Sequence, residues 1–308
     1  MGFADIHGAL CVSGGRLTDR HGAPVRLVGV STHGIAWFPQ YVCRETFTYL
    51  RDSCGVNCVR LALYTYEYMG YCTGGDKAYL TDLVIKGADL AQELGLYVII
   101  DWHVLGEKDP LVFADDAAEF FETVSKRLAD RENVIYEICN EPNSGADWEH
   151  ITAYANRIIP VIRGASAQTK FVRKSVILVG TPTWSQDLFC AAEKPLCFDN
   201  VMYTLHFYAA THGEGLRSSA EKCIKAGLPV FVSEYGLCDS SGGGCIDEQQ
   251  AAAWLDLLDR YGISMVCWNL SDNAESAALI KHGCDKLSGW TAGELTPHGR
   301  YFFNRLCE

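Results

Sequence analysis

The sequence has no Gly-x-Gly-x-x-Gly and no Gly-x-x-x-x-Gly-Lys-[Ser/Thr] stretch, so both common glycine-rich phosphate cradles are missing. No two cysteines are spaced Cys-x-x-Cys, which removes the signal for zinc ribbons, thioredoxin-type redox pairs and haem attachment. No run approaches the ~20 apolar residues of a membrane span. The opening Met1-Gly2-Phe3-Ala4-Asp5-Ile6-His7 has neither the basic region nor the apolar core of a signal peptide. Basic residues are outnumbered, 26 against 38 acidic, for a net charge of -12. That balance argues against tracking phosphate backbones or anionic lipid, so neither nucleic acid nor membrane is expected as a partner. Internal repeats, Pro/Ser linkers and charge blocks are also absent, and the 308 residues are expected to form one domain.

What is present is ample core material, 48% apolar beside 21% charged residues, the balance of an ordinary globular protein. Fourteen cysteines are too few for a disulfide mini-scaffold and many for an enzyme of this length, and their even number leaves pairing open. Leu10-Cys11-Val12, Ser13-Gly14-Gly15 and Arg16-Leu17-Thr18 have the pattern of a short hairpin that caps a larger body. Short β-branched or aromatic runs then recur at Val25 to Val30, Cys58 to Tyr64, Tyr97 to Asp101, Val134 to Glu137, Val176 to Val179, Val201 to His206, Val230 to Glu234 and Ser264 to Asn269. They are apolar on both faces, as strands buried in a parallel sheet are. Between them lie segments of helical period, among them Leu80 to Leu94, Ala114 to Leu128, Ile151 to Arg163, Gly215 to Ala226 and Glu248 to Tyr261, with a last one at Gly299 to Leu306. Eight strand–helix units predict an α/β fold, a single (β/α)8 TIM barrel with a short N-terminal hairpin cap. A doubly wound open sheet is the alternative, but strand one ends Gly29-Val30-Ser31-Thr32-His33-Gly34 without a phosphate turn.

Active sites of such barrels sit at the C-terminal ends of the strands. In order, those ends carry His33, Arg60 and Tyr64, Asp101 and His103, Asn140 and Glu141, Trp184, His206 and Tyr208, Glu234 and Tyr235, and Trp268 and Asn269. Glu141 and Glu234 are acids on opposite sides of the ring, and glycosidic cleavage needs such a pair: one carboxyl to protonate the leaving oxygen, one carboxylate to attack or to activate water. A separation of about 5–5.5 Å means retention and about 6.5–9.5 Å means inversion, a choice that spacing along the chain leaves open.

Several of these segments resemble one family in order. Asn133 to Asn143 (Asn-Val-Ile-Tyr-Glu-Ile-Cys-Asn-Glu-Pro-Asn) looks like the acid/base signature of family 5 glycoside hydrolases, and Val230 to Gly236 looks like their nucleophile strand. Val59 to Thr65, Tyr97 to His103, Gly180 to Asp187, Leu205 to Gly213 and Trp268 to Asp272 continue the resemblance, which runs from about His7 to Phe303 and extends to the bacterial-type endo-β-1,4-glucanases, or cellulases, of that family. It implies a secreted, monomeric, retaining endo-β-1,4-glucanase that acts on β-glucan or cello-oligosaccharides through a covalent glycosyl-enzyme, without cofactor, metal or accessory carbohydrate-binding module. Another polymer (mannan, lichenan, xyloglucan or xylan), a non-catalytic glucan-binding protein and a metal-dependent barrel hydrolase are the competing expectations.

Carried over residue by residue, the resemblance makes Glu234 the nucleophile, with Arg60 and Tyr208 expected to hold it ionised and lower its pKa, and Glu141 the acid/base. Asn140 is implied to bind the sugar 2-hydroxyl. His33, His103 and His206 could together suggest zinc, but no His-x-His or His-Glu-x-x-His spacing supports ligation; His103 and His206 are assigned to orienting the carboxylates and His33 to the substrate. Trp268 is expected as the floor beside the cleaved bond, with a non-proline cis peptide to Asn269; Trp37 and Trp184 are platforms on opposite sides of the cut, and Tyr64 also faces substrate. Trp148, Trp254 and Trp290 are expected to be core. Two positions depart from the pattern: Asn273 stands where related glucanases usually have Lys, leaving Glu275 to accept a more distant sugar without an ammonium beside it, and Pro182 stiffens the loop presenting Trp184. Cys58, Cys139 and Cys267 are expected as small buried hydrophobes, while Cys190 with Cys197 and Cys238 with Cys245 would close short disulfides under oxidising conditions.

Overall fold

A computed structural model describes residues 2–166 and 175–307. Eight parallel strands close into a barrel: β1 Val28–Thr32, β2 Cys58–Tyr64, β3 Tyr97–His103, β4 Val134–Glu137, β5 Ile177–Val179, β6 Val201–Tyr208, β7 Val230–Gly236 and β8 Met265–Leu270, each paired with its neighbours and β8 with β1. Helices follow the strands, including the six segments of helical period. Arg44–Cys54 and the five-residue Phe189–Glu193 are additions. The first buries only Thr46, Phe47, Leu50 and Cys54 in an otherwise polar sequence, and the second is too short to show a period.

Period-two alternation sorts each strand between two cores. Leu61, Ile100, Tyr136, Leu205 and Val232 face outward onto the helices. Cys58, Ile99, Ile135, Leu178, Met202, Phe231 and Val266 face inward and fill the lower barrel, one of the side-chain layers that make such a barrel solid. The N-terminal end is closed by a helix at Phe3–His7 and an antiparallel hairpin of Cys11–Ser13 with Arg16–Thr18. Gly14 and Gly15 both take positive φ, 57° and 76°, as a two-residue hairpin turn matched to strand twist requires. Leu10, Leu17, Val25 and Leu27 plug the barrel floor, and Tyr97 donates to Gly8 O at 2.6 Å.

The first strand differs from expectation. Val25 is not in it: its N–H bonds to Leu17 O and Pro24 bridges to Thr18, so this stretch extends the hairpin and the barrel strand begins at Val28. Cys58, Cys139 and Cys267 are buried as expected. The two loop disulfides are not formed: Cys190, Cys197, Cys238 and Cys245 are free thiols, with Cys190 donating to Asp187 O and Cys238 buried while Cys245 is exposed. Trp148, Trp254 and Trp290 are core, their indoles donating to the carbonyls of Lys194, His212 and Lys286. Phe231→Ala, which empties the inner layer, is expected to lower stability by about 3–5 kcal/mol in denaturant titration, with little change in native far-UV circular dichroism.

Candidate active site

Above the apolar floor the inward positions turn polar. Arg60 of β2 has no exposed surface, and its donors reach four strands: Nε to Glu137 Oε2 (2.7 Å), Nη1 to Glu234 Oε2 and to Ser31 Oγ (both 3.2 Å), and Nη2 to Asn140 Oδ1 (2.7 Å) and Asp101 Oδ2 (3.0 Å). Tyr208 of β6 donates to the other oxygen of Glu234 at 2.7 Å. His206, two residues earlier and on the same face, places Nδ1 2.9 Å from Glu141 Oε1 and Nε2 2.9 Å from Ser233 Oγ. His103 bonds Asp101 Oδ2 through Nδ1 at 2.6 Å and meets the Asn140 amide at 3.3 Å.

Strand β7 breaks the alternation. Thr204 pairs with Phe231 but His206 pairs with Glu234, and on the other side Met265 pairs with Val232 but Cys267 with Tyr235. β7 therefore carries one residue more than either neighbour, a bulge that re-aims side chains. Two consecutive residues then serve the site, Ser233 donating to Glu137 Oε1 at 2.6 Å while Glu234 meets Arg60 and Tyr208.

The Asn140-Glu141 segment after β4 is pinned by backbone bonds, Asn140 N to Trp102 O and Glu141 N to Val104 O. It is pressed against Gly180, where a Cβ would meet Cys139 O at 2.4 Å and Asn140 O at 2.9 Å, so only glycine fits. Next to it Thr183, Trp184 and Ser185 take left-handed φ of 59°, 54° and 56° in succession, a costly run for non-glycine residues. Buried Ser185 anchors it to the Asn140-Glu141 segment by donating to Asn140 O, and Trp184 N donates to Pro142 O. The outcome is a tryptophan left 41% exposed beside Glu141.

These elements enclose a cavity of about 600 Å³ lined by Glu141, Glu234, His103, His206, Tyr208, Tyr64, Trp268, Trp184, His33 and Glu275. Of the residues singled out in the sequence, Arg60 and Asn140 lie beneath this surface, fully buried, and Trp37 stands beside it, packed on Tyr64 at 4.6 Å with its indole donating to Tyr68 O. The Trp268–Asn269 peptide is cis. Glu275 accepts from the Asn269 amide at 2.7 Å and lies 3.6 Å from His33 Nε2.

The electrostatics differ from expectation at Glu234. Arg60 and Tyr208 do bond it, but burial pushes its carboxyl up, an effect augmented by Glu141 and only partly opposed by the charges of His206 and Arg60 and the Tyr208 bond. Burial also drives Asp101 well up and His103 well down, and lowers His33 to about 4. The three histidines do not gather as a metal site. Only His206 joins Glu141 and Glu234 in a group whose polar atoms lie within 4.8 Å of one another. There the Arg60 guanidinium already neutralises Glu234 and His206 Nδ1 is turned onto Glu141, so we do not read the trio as metal ligands.

The family model for cellulase, glycosyl hydrolase family 5, matches residues 18–274. The chain belongs to glycosyl hydrolase family 5. Among family 5 relatives it is 44% identical to Endoglucanase A of Butyrivibrio fibrisolvens over 98% of this chain and 69% of that protein. It is 40% identical to an endoglucanase of Clostridium saccharobutylicum over 96% of this chain and 64% of that one, so it spans about two thirds of the length of the curated relatives it matches. The solved catalytic domain of Thermobifida fusca endoglucanase Cel5A, in complex with cellotetraose, superposes with a TM-score of 0.93 at 34% identity, covering 100% of both chains. As a family 5 member the chain is a glycoside hydrolase.

Two buried residues of this family 5 site, Glu137 and Ser233, were not singled out in the sequence, and Asp101 was named there at a strand end without a role. Glu137 shares the inward parity of Ile135 and Ser233 that of Phe231, a signal that was available; that Glu234 also turns inward depends on the β7 bulge, which no local pattern announces. Tyr208→Phe removes a donor to ionised Glu234, which raises that carboxyl further. The acidic limb of kcat/KM is expected to move to higher pH, read from a pH–rate profile with folding checked by thermal denaturation.

Proposed function

We propose that the protein is a secreted, monomeric, retaining endo-β-1,4-glucanase that cleaves internal bonds of β-glucan chains, with residues 1–308 acting as a single catalytic domain that needs no cofactor. The observation that carries the proposal is the carboxyl pair: Glu141 and Glu234 bring oxygens within 4.8 Å across the cavity floor. That fits the short separation of about 5–5.5 Å used for double displacement better than the about 6.5–9.5 Å of inversion. The endoglucanase relatives and the cellotetraose-bound neighbour support the substrate class.

In this scheme Glu141 gives its proton to the glycosidic oxygen as the Glu234 carboxylate attacks the anomeric carbon, and the bond to the leaving sugar breaks. The negative charge of Glu234 is then consumed in the ester. Glu141, now a carboxylate, takes a proton from water, whose oxygen displaces Glu234 and restores the anomeric configuration. Arg60 and Tyr208 hold the nucleophile, and His206 holds the acid/base. His103 orients Asn140, whose amide would donate to the sugar 2-hydroxyl in exchange for its long contact with His103. Trp268 supplies the floor beside the cut, Tyr64, Trp37 and Trp184 the stacking surfaces on either side, and His33 and Glu275 polar contacts farther out.

A product profile over carboxymethylcellulose, lichenan, mannan, xyloglucan and xylan tests the proposal. Wild type should release cello-oligosaccharides with the β-anomer appearing first by NMR, Glu141→Ala should lose about 10²–10⁴-fold in rate and Glu234→Ala at least as much. Preference for another polymer, first release of the α-anomer, or binding without cleavage would overturn the corresponding part. At the departure from the family pattern, the Asn273 and Asn269 amides bond Glu275, and burial still holds its carboxyl above the ordinary value. Asn273→Lys places an ammonium there and should lower KM on longer cello-oligosaccharides; unchanged kinetics on all lengths would show that the position is idle.

A further inference from the structure

Glu137 ends β4, four residues before Glu141, and takes no part in the steps above. Its side chain has 0% exposure and lies beneath the cavity lining, out of reach of a sugar. Both of its oxygens are nevertheless tied to the supports of the two reacting carboxyls. Oε2 accepts from Arg60 Nε at 2.7 Å, and the same guanidinium holds Glu234. Oε1 accepts from Ser233 Oγ at 2.6 Å and lies 3.8 Å from His206 Nε2.

The hydroxyl between them has a direction. Ser233 has one proton and gives it to a carboxylate, so toward His206 it can only accept, and the 2.9 Å contact requires a hydrogen on Nε2. Nδ1 then faces Glu141 Oε1 at 2.9 Å with one proton to share: the ring donates as imidazolium, or the carboxylic acid donates to a neutral ring. We propose that Glu137, acting through Ser233 and His206, is the positioning residue that sets where this shared proton sits and how tightly the Glu141–His206 pair holds it.

The surroundings of the pair bear this out. Arg60 comes from β2, Asp101 and His103 from β3, Glu137 and Glu141 from β4, and Ser233 and Glu234 from β7. Burial would push the His206 ring down, but the Glu137 carboxylate behind Ser233, the bonded Glu141 and the nearby Glu234 charge raise it to about 9. Burial likewise pushes Glu137 up, yet Arg60 and His206 bring it below the ordinary value, so it remains a carboxylate. Deleting that negative charge lowers the proton affinity of each neighbour, and the coupled pair must lose its proton at lower pH.

The test is Glu137→Gln, which keeps shape and removes charge. The basic limb of kcat/KM should move to lower pH by about one unit, while Glu137→Asp, which keeps the charge, should leave the limb in place whatever it does to the rate. An equal loss of rate at every pH with unmoved limbs would reduce Glu137 to a structural residue and overturn the proposal. Should Glu137→Gln not fold, Ser233→Ala decides instead: it leaves the charge but cuts the relay, and a basic limb that does not move at all overturns the proposal. The kinetic arm rests on the glycoside hydrolase reading. An independent arm follows the His206 imidazole by NMR, assigned by its loss in His206→Asn. There the ring should titrate lower in Glu137→Gln than in wild type even if no glucan is cleaved, and identical titration would sink the inference alone.

Discussion

Burying an arginine costs several kcal/mol of lost hydration unless its donors are met by partners of opposite charge, and Arg60 is wholly buried. It is met by Glu137, Glu234, Asp101, Asn140 and Ser31, contributed by four different strands and their ends. Each of those strands must therefore arrive at one height and one angle before the guanidinium is satisfied. Removing one partner of such a network leaves a buried charge short of its counter-charge, a loss of about 3–5 kcal/mol. The same geometry that keeps Arg60 inside the barrel places the nucleophile candidate on one side of it and the acid/base support on the other.

The acids around this cation are not equivalent. Asp101 is pushed toward its neutral form and its Oδ1 is buried without a partner, whereas Glu137, with closer contacts to Arg60 and a neighbouring imidazole, stays charged. Two carboxyl groups in one buried layer are thus separated by the company they keep. Glu234 lies between these extremes, with burial opposing the charges that hold it, so its ionisation is sensitive to each surrounding donor. Above this layer rigidity is backbone work: Gly180 lets the Asn140-Glu141 segment pack closely, and Ser185 ties the left-handed Trp184 turn to it, so Trp184 and Glu141 are mechanically one piece.

Much of this was legible along the chain, because a (β/α)8 barrel translates sequence order into spatial order. Strand ends from His33 to Trp268 that are scattered over the sequence converge on one mouth simply because every strand points the same way. Period-two alternation even distinguishes inward Arg60, Asp101 and Glu137 from outward Leu61, Ile100 and Tyr136. Where it failed, the cause was non-local. The start of β1 was misplaced because Val25 bonds back to the hairpin, and the candidate disulfides did not form although their cysteines are close in sequence.

By itself the sequence determined the barrel, the family and the two carboxylates, since those follow from residue type, period and order. Only the tertiary structure decided the approach of Glu141 and Glu234 to within 4.8 Å, the extra residue in β7 that turns Glu234 to the site beside Ser233, and the standing of Glu137 as the link between their supports. The reason is that distance, register and proton position are set by contacts between strands far apart in the chain, and a buried charge is defined by its surroundings more than by its own side chain.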